Sequence, residues 1–117
     1  MVMKETKDLE IFLNGKKVIV KNIEKTRIFG KFKGLMFNKK NNSKALLFEN
    51  SKSQGIHSFF VFFDFLCVWL DKDNDVIDFR IVKPFNPYVK TDRYFDKILE
   101  IPKNSFYKET IDMFSKL

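Results

Sequence analysis

Only one cysteine and one histidine occur among the 117 residues, and that scarcity excludes a good deal of chemistry. A single Cys67 rules out an intramolecular disulfide and any cysteine-cluster metal site; its apolar neighbours predict a small buried hydrophobe in a reducing compartment. A single His57 rules out metal sites built on two or more histidines and leaves one base for a Ser-His-Asp arrangement. Its neighbour Ser58 would point to the opposite face of a strand, which argues against Ser58 as the nucleophile. Long apolar runs are missing as well. The longest, Phe59 to Leu70, is shorter than the roughly 18 residues a membrane span requires, and Asp64 interrupts it, so no transmembrane helix is expected. The opening "MVMKETKDLEIF" has no basic segment followed by an apolar stretch and a cleavage site, which predicts no signal peptide and a cytoplasmic location.

What is present points to a folded domain. Apolar residues make up 44% of the chain, with 15 phenylalanines, which is ample surface to bury against the entropy of ordering. At this length the expectation is one domain, 1–117, with a single core. The net charge of +7 is unevenly placed: residues 1–52 carry 13 Lys and Arg against 5 Asp and Glu, and residues 53–117 carry 9 against 10. A basic first half suits an anionic partner such as nucleic acid, although a solvated lysine-rich face accounts for the same numbers.

Hydrophobic periodicity and turn residues divide the chain. In "LEIFLNGKKVIV", Leu9 to Leu13 and Val18 to Val20 flank Asn14-Gly15, the signature of a tight hairpin. "KTRIFGKFKGLMF" spaces Ile28, Phe29, Phe32, Leu35 and Met36 for a short amphipathic helix, with Thr26 as N-cap and Gly34 as its stop. "ALLFEN" predicts a short strand. In "HSFFVFFDFLCVWLD" both alternating sets are apolar, so it predicts a bent strand, or two, buried on both faces. "DKDND" is a turn, Val76 to Val82 the returning strand, and Ile98 to Ile101 a strand ended by Pro102. The periodicity of Phe106 to Leu117 fits a terminal helical turn or two. Many short strands and one helix predict a mainly β fold, a sandwich or barrel with a short helix packed against it.

Four of these blocks, "GLMF" at Gly34 to Phe37, "ALLFEN", "HSFFVFFDFLCVWLDKDNDVI" and "ILEIP", occur in the order and spacing of a known family. Over about 19–103 the chain resembles the family known as domain of unknown function 192, which leaves 104–117 as a variable C-terminal tail. The resemblance implies a compact jelly-roll-like β-sandwich and brings no established activity or cofactor. Where that family commonly has His-Thr-Phe-Phe-Met-Arg-Phe-Pro-Ile-Asp, this chain keeps His57, Phe59, Phe60 and Phe63 but has Val61, Phe62, Asp64 and Leu66 in place of the methionine, arginine, proline and aspartate. Asn38 stands where the family has arginine, with Lys39 or Lys40 able to supply that charge. Asn104, after "ILEIPK", replaces a glycine and can take a left-handed turn.

Asp64 is the conspicuous residue, because a buried, unpaired carboxylate costs several kcal/mol. It is read either as a carboxylate that caps a bend or pairs with a cation, or as a ligand-orienting acid in an aromatic-walled pocket. Two residues along a strand returns to the same face, so Asp64 could replace the acid missing at Leu66. The ligand-binding candidates are His57, Asp64, Asn38 and Arg27, for a small polar or carbohydrate-like ligand. The alternative is nonspecific nucleic-acid binding through Lys31, Lys33, Lys39 and Lys40, interleaved with Phe29, Phe32 and Phe37. A hydrolase using His57 and Asp64 is a third reading. Asp71, Asp73, Asp75 and Asp78 lack the glycine and closing glutamate of a calcium loop, and no metal or cofactor is expected. No catalytic nucleophile with its base can be named, so a noncatalytic binding module is the leading expectation.

Overall fold

The Asn14-Gly15 pair turns the chain back on itself as its composition predicts, with φ of 51° and 79° at the two residues. Both positive angles are those a two-residue turn needs to match the twist of the flanking strands. In the computed structural model, which describes residues 6–26, 44–49, 64–83 and 90–116, this turn joins β1 (Thr6–Leu13) to β2 (Lys16–Thr26). β3 (Leu46–Glu49), β4 (Phe65–Leu70), β5 (Val76–Val82) and β6 (Lys97–Pro102) follow, and α1 (Lys108–Ser115) closes the chain. The fold is mainly β with one short helix among the described residues. The short helix expected after Thr26, with Gly34 as its stop, lies outside them, apart from Thr26 itself, which ends β2 opposite Phe48.

The strands form one six-stranded sheet in the order β1-β2-β3-β6-β4-β5. Every neighbouring pair is antiparallel except β2 and β3, which run parallel. Two bulges curl it. Lys21 and Asn22 oppose the single residue Asp8, with Asn22 at φ 59° and its N–H donated to Asp8 Oδ1 at 3.1 Å. The second bulge inserts Ile77 between the pairs Trp69–Asp78 and Leu70–Val76. An extra residue on one strand bends that strand and increases its twist, and here the curl brings the two edge strands together. Phe12 N–H donates to Asn74 O at 2.9 Å, and Phe12 forms a parallel bridge with Asp75. Asn74, at φ 66°, also donates its side-chain amide to Glu10 O at 3.2 Å and accepts Lys97 Nζ at 2.7 Å. One turn asparagine thus ties the β4–β5 hairpin to β1.

Both faces of the middle strands are buried, as the doubly apolar run predicts. Leu66, Val68 and Leu70 of β4 face inward with Ile11, Val18, Val20, Leu47, Leu99 and Ile101. Phe65, Cys67 and Trp69 face outward with Leu46, Phe48, Val82, Phe95 and Ile98. The C-terminal segment completes the inner core through Tyr107, Ile111 and Phe114, the last meeting Phe79 edge-on at 5.1 Å. Tyr107 Oη accepts the Ala45 N–H at 2.9 Å and donates to Lys21 O at 2.8 Å, fastening the helix entry to β2 and to the start of β3. Asn104 does not take the left-handed turn expected of it. It is buried without a positive φ, and its Oδ1 accepts the Tyr107 N–H at 3.1 Å, holding the turn before α1. No helix among the described residues is long and apolar enough to cross a membrane.

Candidate functional site

Residues directly opposite one another in a sheet project to the same face, so the register itself lays out the outward surface. One row runs Glu24, Leu46, Glu100, Cys67, Arg80 across β2, β3, β6, β4 and β5. The next runs Phe48, Ile98, Trp69, Asp78. Polar groups are therefore set among buried aromatics. Glu100 is only 6% exposed, and Cys67 and Trp69 are fully buried.

Burial pushes the Cys67 thiol well above its ordinary range; the Glu100 charge opposite it adds to the effect, Arg80 works against it, and Asp78 contributes in the same sense as Glu100. The thiol therefore keeps its proton and is a poor nucleophile. The Arg80 guanidinium carbon lies 5.8 Å from the centre of the Trp69 ring, within cation–π range. Asp78 has both carboxylate oxygens engaged: Oδ1 accepts the Phe79 N–H at 2.9 Å and Oδ2 the Thr91 hydroxyl at 2.8 Å. The exception is the Trp69 indole N–H, which is buried with no acceptor among the described residues. Buried donors are nearly always satisfied, so an orphan asks for an explanation.

Of the residues singled out from sequence, Asp64 alone among the ligand candidates falls within the described residues; His57, Asn38 and Arg27 lie outside them. So do Lys31, Lys33, Lys39 and Lys40 of the nucleic-acid alternative. Asp64 sits just before β4 at the end of the sheet. Its Oδ2 accepts Lys83 Nζ at 2.8 Å, and its carbonyl accepts the Lys103 N–H at 3.0 Å. Leu66, two residues on, is fully buried in the inner core. The turn aspartates are tied to their own backbone, Asp71 Oδ1 accepting the N–H groups of Asp73 and Asp75 at 2.8 and 3.0 Å. Among the described residues no three His, Cys, Asp and Glu side chains converge as a metal-ligand set.

Sequence reasoning passed over Glu100 and Trp69. The available signal was the alternation of "ILEIP": Ile98 and Glu100 share a face, and on the neighbouring β4 the matching face carries Cys67 and Trp69 rather than polar residues. An acid facing such a strand is unusual enough to flag.

No family model and no curated protein sequence matches the chain. Among solved structures it is similar to the crystal structure of a protein of unknown function from Novosphingobium aromaticivorans DSM 12444. The TM-score is 0.66 and the identity 13%, over 87% of this chain and 76% of that one. At that identity the likeness is one of fold alone.

Proposed function

We propose that the protein is a noncatalytic binding module that takes a small polar ligand on the outward face of β4 and β6. The observation that carries this is the Trp69 N–H, buried without an acceptor among the described residues, on the same face as the buried Glu100 carboxylate. A ligand hydroxyl suits the pair because it accepts from the indole and donates to a carboxylate, whose oxygens take several donors at once. Phe48, Phe65 and Phe95 on that face supply the apolar wall against which a sugar-like ring packs. The ligand enters by displacing Arg80, an exposed side chain that lies over the indole.

The test is a thermal-shift panel of sugars, nucleotides, carboxylic acids and divalent metals, at low and moderate salt. A ligand that binds only the folded state raises its stability. One small hydroxylated compound should give a saturable shift that survives salt and is lost in Trp69→Phe. A shift that persists unchanged in Trp69→Phe removes the site.

The second reading, nonspecific nucleic-acid binding, is favoured by the exposed Lys7, Lys16, Lys17, Lys21, Lys25 and Lys44 on and beside β1–β3. It calls for oligonucleotide affinity that falls steeply with salt. We also propose membership of the family known as domain of unknown function 192. It is supported by the fact that Leu46–Glu49 of the second block, the third block from Phe65 through its turn to Ile77, and "ILEIP" fall on the neighbouring strands β3, β4, the start of β5, and β6. Burial of both faces of β4 supports a layered, sandwich-like arrangement of the jelly-roll kind.

A further inference from the structure

We infer that β5 is a self-pairing edge, through which two copies of the chain join antiparallel into one continuous sheet. β5 is the last strand in the sheet order, and among the described residues no strand pairs with Val76–Val82 on the side away from β4; the bridge of Phe12 to Asp75 lies just before it. The Phe79 N–H goes to the adjacent Asp78 carboxylate at 2.9 Å rather than to β4, so it points away from β4, toward the open edge. Backbone groups on the side of a strand that no other strand pairs are a template for one.

The occupant is named by the sequence of the strand. "VIDFRIV" is a palindrome about Phe79 in which the one asymmetry is charge: Val76 matches Val82, Ile77 matches Ile81, and Asp78 faces Arg80. A two-fold axis through Phe79 pairs the backbones of the two Phe79 residues reciprocally: each Phe79 N–H leaves the Asp78 Oδ1 it bonds in the single chain for the carbonyl of the other Phe79, which frees that carboxylate oxygen for the other copy's Arg80. It sets Asp78 of each copy opposite Arg80 of the other, on the outward face of the sheet, twice. Directly opposite charges of opposite sign stabilise a strand pair, and like charges destabilise it. Moving the axis by one residue, onto Asp78 or onto Arg80, places two aspartates or two arginines face to face. The charges therefore select one register as well as one partner. Arg80 is exposed and lies over the Trp69 ring, and Ile81 is 37% exposed; both can be reached by a second strand. The symmetry extends one step further, since Asp75 would face Lys83, although Lys83 already pairs with Asp64.

Charge reversal with swap-back tests this without knowledge of any ligand. Sedimentation velocity on the wild-type chain, from micromolar to millimolar concentration, should show a monomer–dimer equilibrium. Asp78→Arg or Arg80→Asp alone should weaken association at least about tenfold, and the double variant D78R/R80D, which restores opposite charges in the same register, should bring it back. Circular dichroism melts check that each variant folds. Amide exchange on the wild-type chain is independent of the variants: protection of the Phe79 and Ile81 N–H groups should rise with protein concentration. A wild-type chain that stays monomeric at millimolar concentration overturns the inference. So does a dimer indifferent to both single reversals, one not restored by the swap, or exchange at Phe79 and Ile81 that ignores concentration.

Discussion

Replacing Tyr107 by Phe removes one oxygen and keeps the ring, so it isolates the hydrogen bonds that hold the C-terminal segment on the sheet. The hydroxyl accepts the Ala45 N–H at 2.9 Å and donates to Lys21 O at 2.8 Å. Ala45 is fully buried, so its N–H has no water to turn to. An orphaned buried donor costs about 1–3 kcal/mol, and the lost bond to Lys21 adds to that; a total of about 2.5 kcal/mol follows. With an unfolding entropy of about 2.1 cal/mol/K per residue, a chain of this length changes its stability by about 0.25 kcal/mol for each degree near Tm. Tyr107→Phe should therefore melt about 10 °C below the wild type. Urea unfolding should show a lower midpoint with an unchanged slope, because the surface exposed on unfolding is the same. A loss below about 0.5 kcal/mol would refute the claim that this hydroxyl staples α1 to β2 and β3.

Two further outcomes follow from the same geometry. Burial holds the Cys67 thiol protonated where an unfolded thiol ionises, so above pH about 8.5 the folded state binds more protons than the unfolded one and stability falls as pH rises. The slope from this group reaches at most about 1.4 kcal/mol per pH unit. Burial raises Tyr107 too, partly offset by the Ala45 N–H and reinforced by Asp8, and extends the loss above pH about 10. Cys67→Ala should flatten the earlier part of the decline in urea titrations, and a curve identical to wild type there would count against the assigned cause. Asn74→Ala loses both the residue type that tolerates φ 66° and the bonds to Glu10 and Lys97, and should cost about 2 kcal/mol. Asn74→Gly keeps the angle and should cost less; equal losses would show that the backbone conformation is immaterial.

Local features were the legible part of the sequence. Asn14-Gly15 announces its hairpin because few residues accept two successive positive φ angles, and the doubly apolar Phe65–Leu70 announces a strand with no solvent face. The placement of β3 parallel to β2 and beside β6 was not legible, since pairings between residues far apart in sequence leave no local pattern. Nor was the closure through Asn74, which reads locally as an ordinary turn residue while its side chain bridges to Glu10 and Lys97. The site shows the same division. Asp64 drew attention by interrupting an apolar run, yet it lies at the end of a strand beside Lys83. Glu100 drew none, because one acid in "ILEIP" looks like the polar half of a half-exposed strand until β4 is known to pair with it and be buried on both faces. Asn104 shows that the same side chain can serve a left-handed turn or accept a backbone N–H, and three-dimensional burial decides between them.

Trp69 is the only tryptophan in the chain, so an amide-correlation NMR spectrum of the labelled protein contains one indole N–H signal. Its response to the compound that shifts the melting temperature is the most direct measurement on the proposed site. A ligand oxygen accepting that N–H should move the signal downfield in a saturable way, with the same dissociation constant as the thermal shift, and slow its exchange with solvent. A compound that stabilises the protein while the indole signal stays where it was would contradict the placement of the ligand against Trp69 and Glu100.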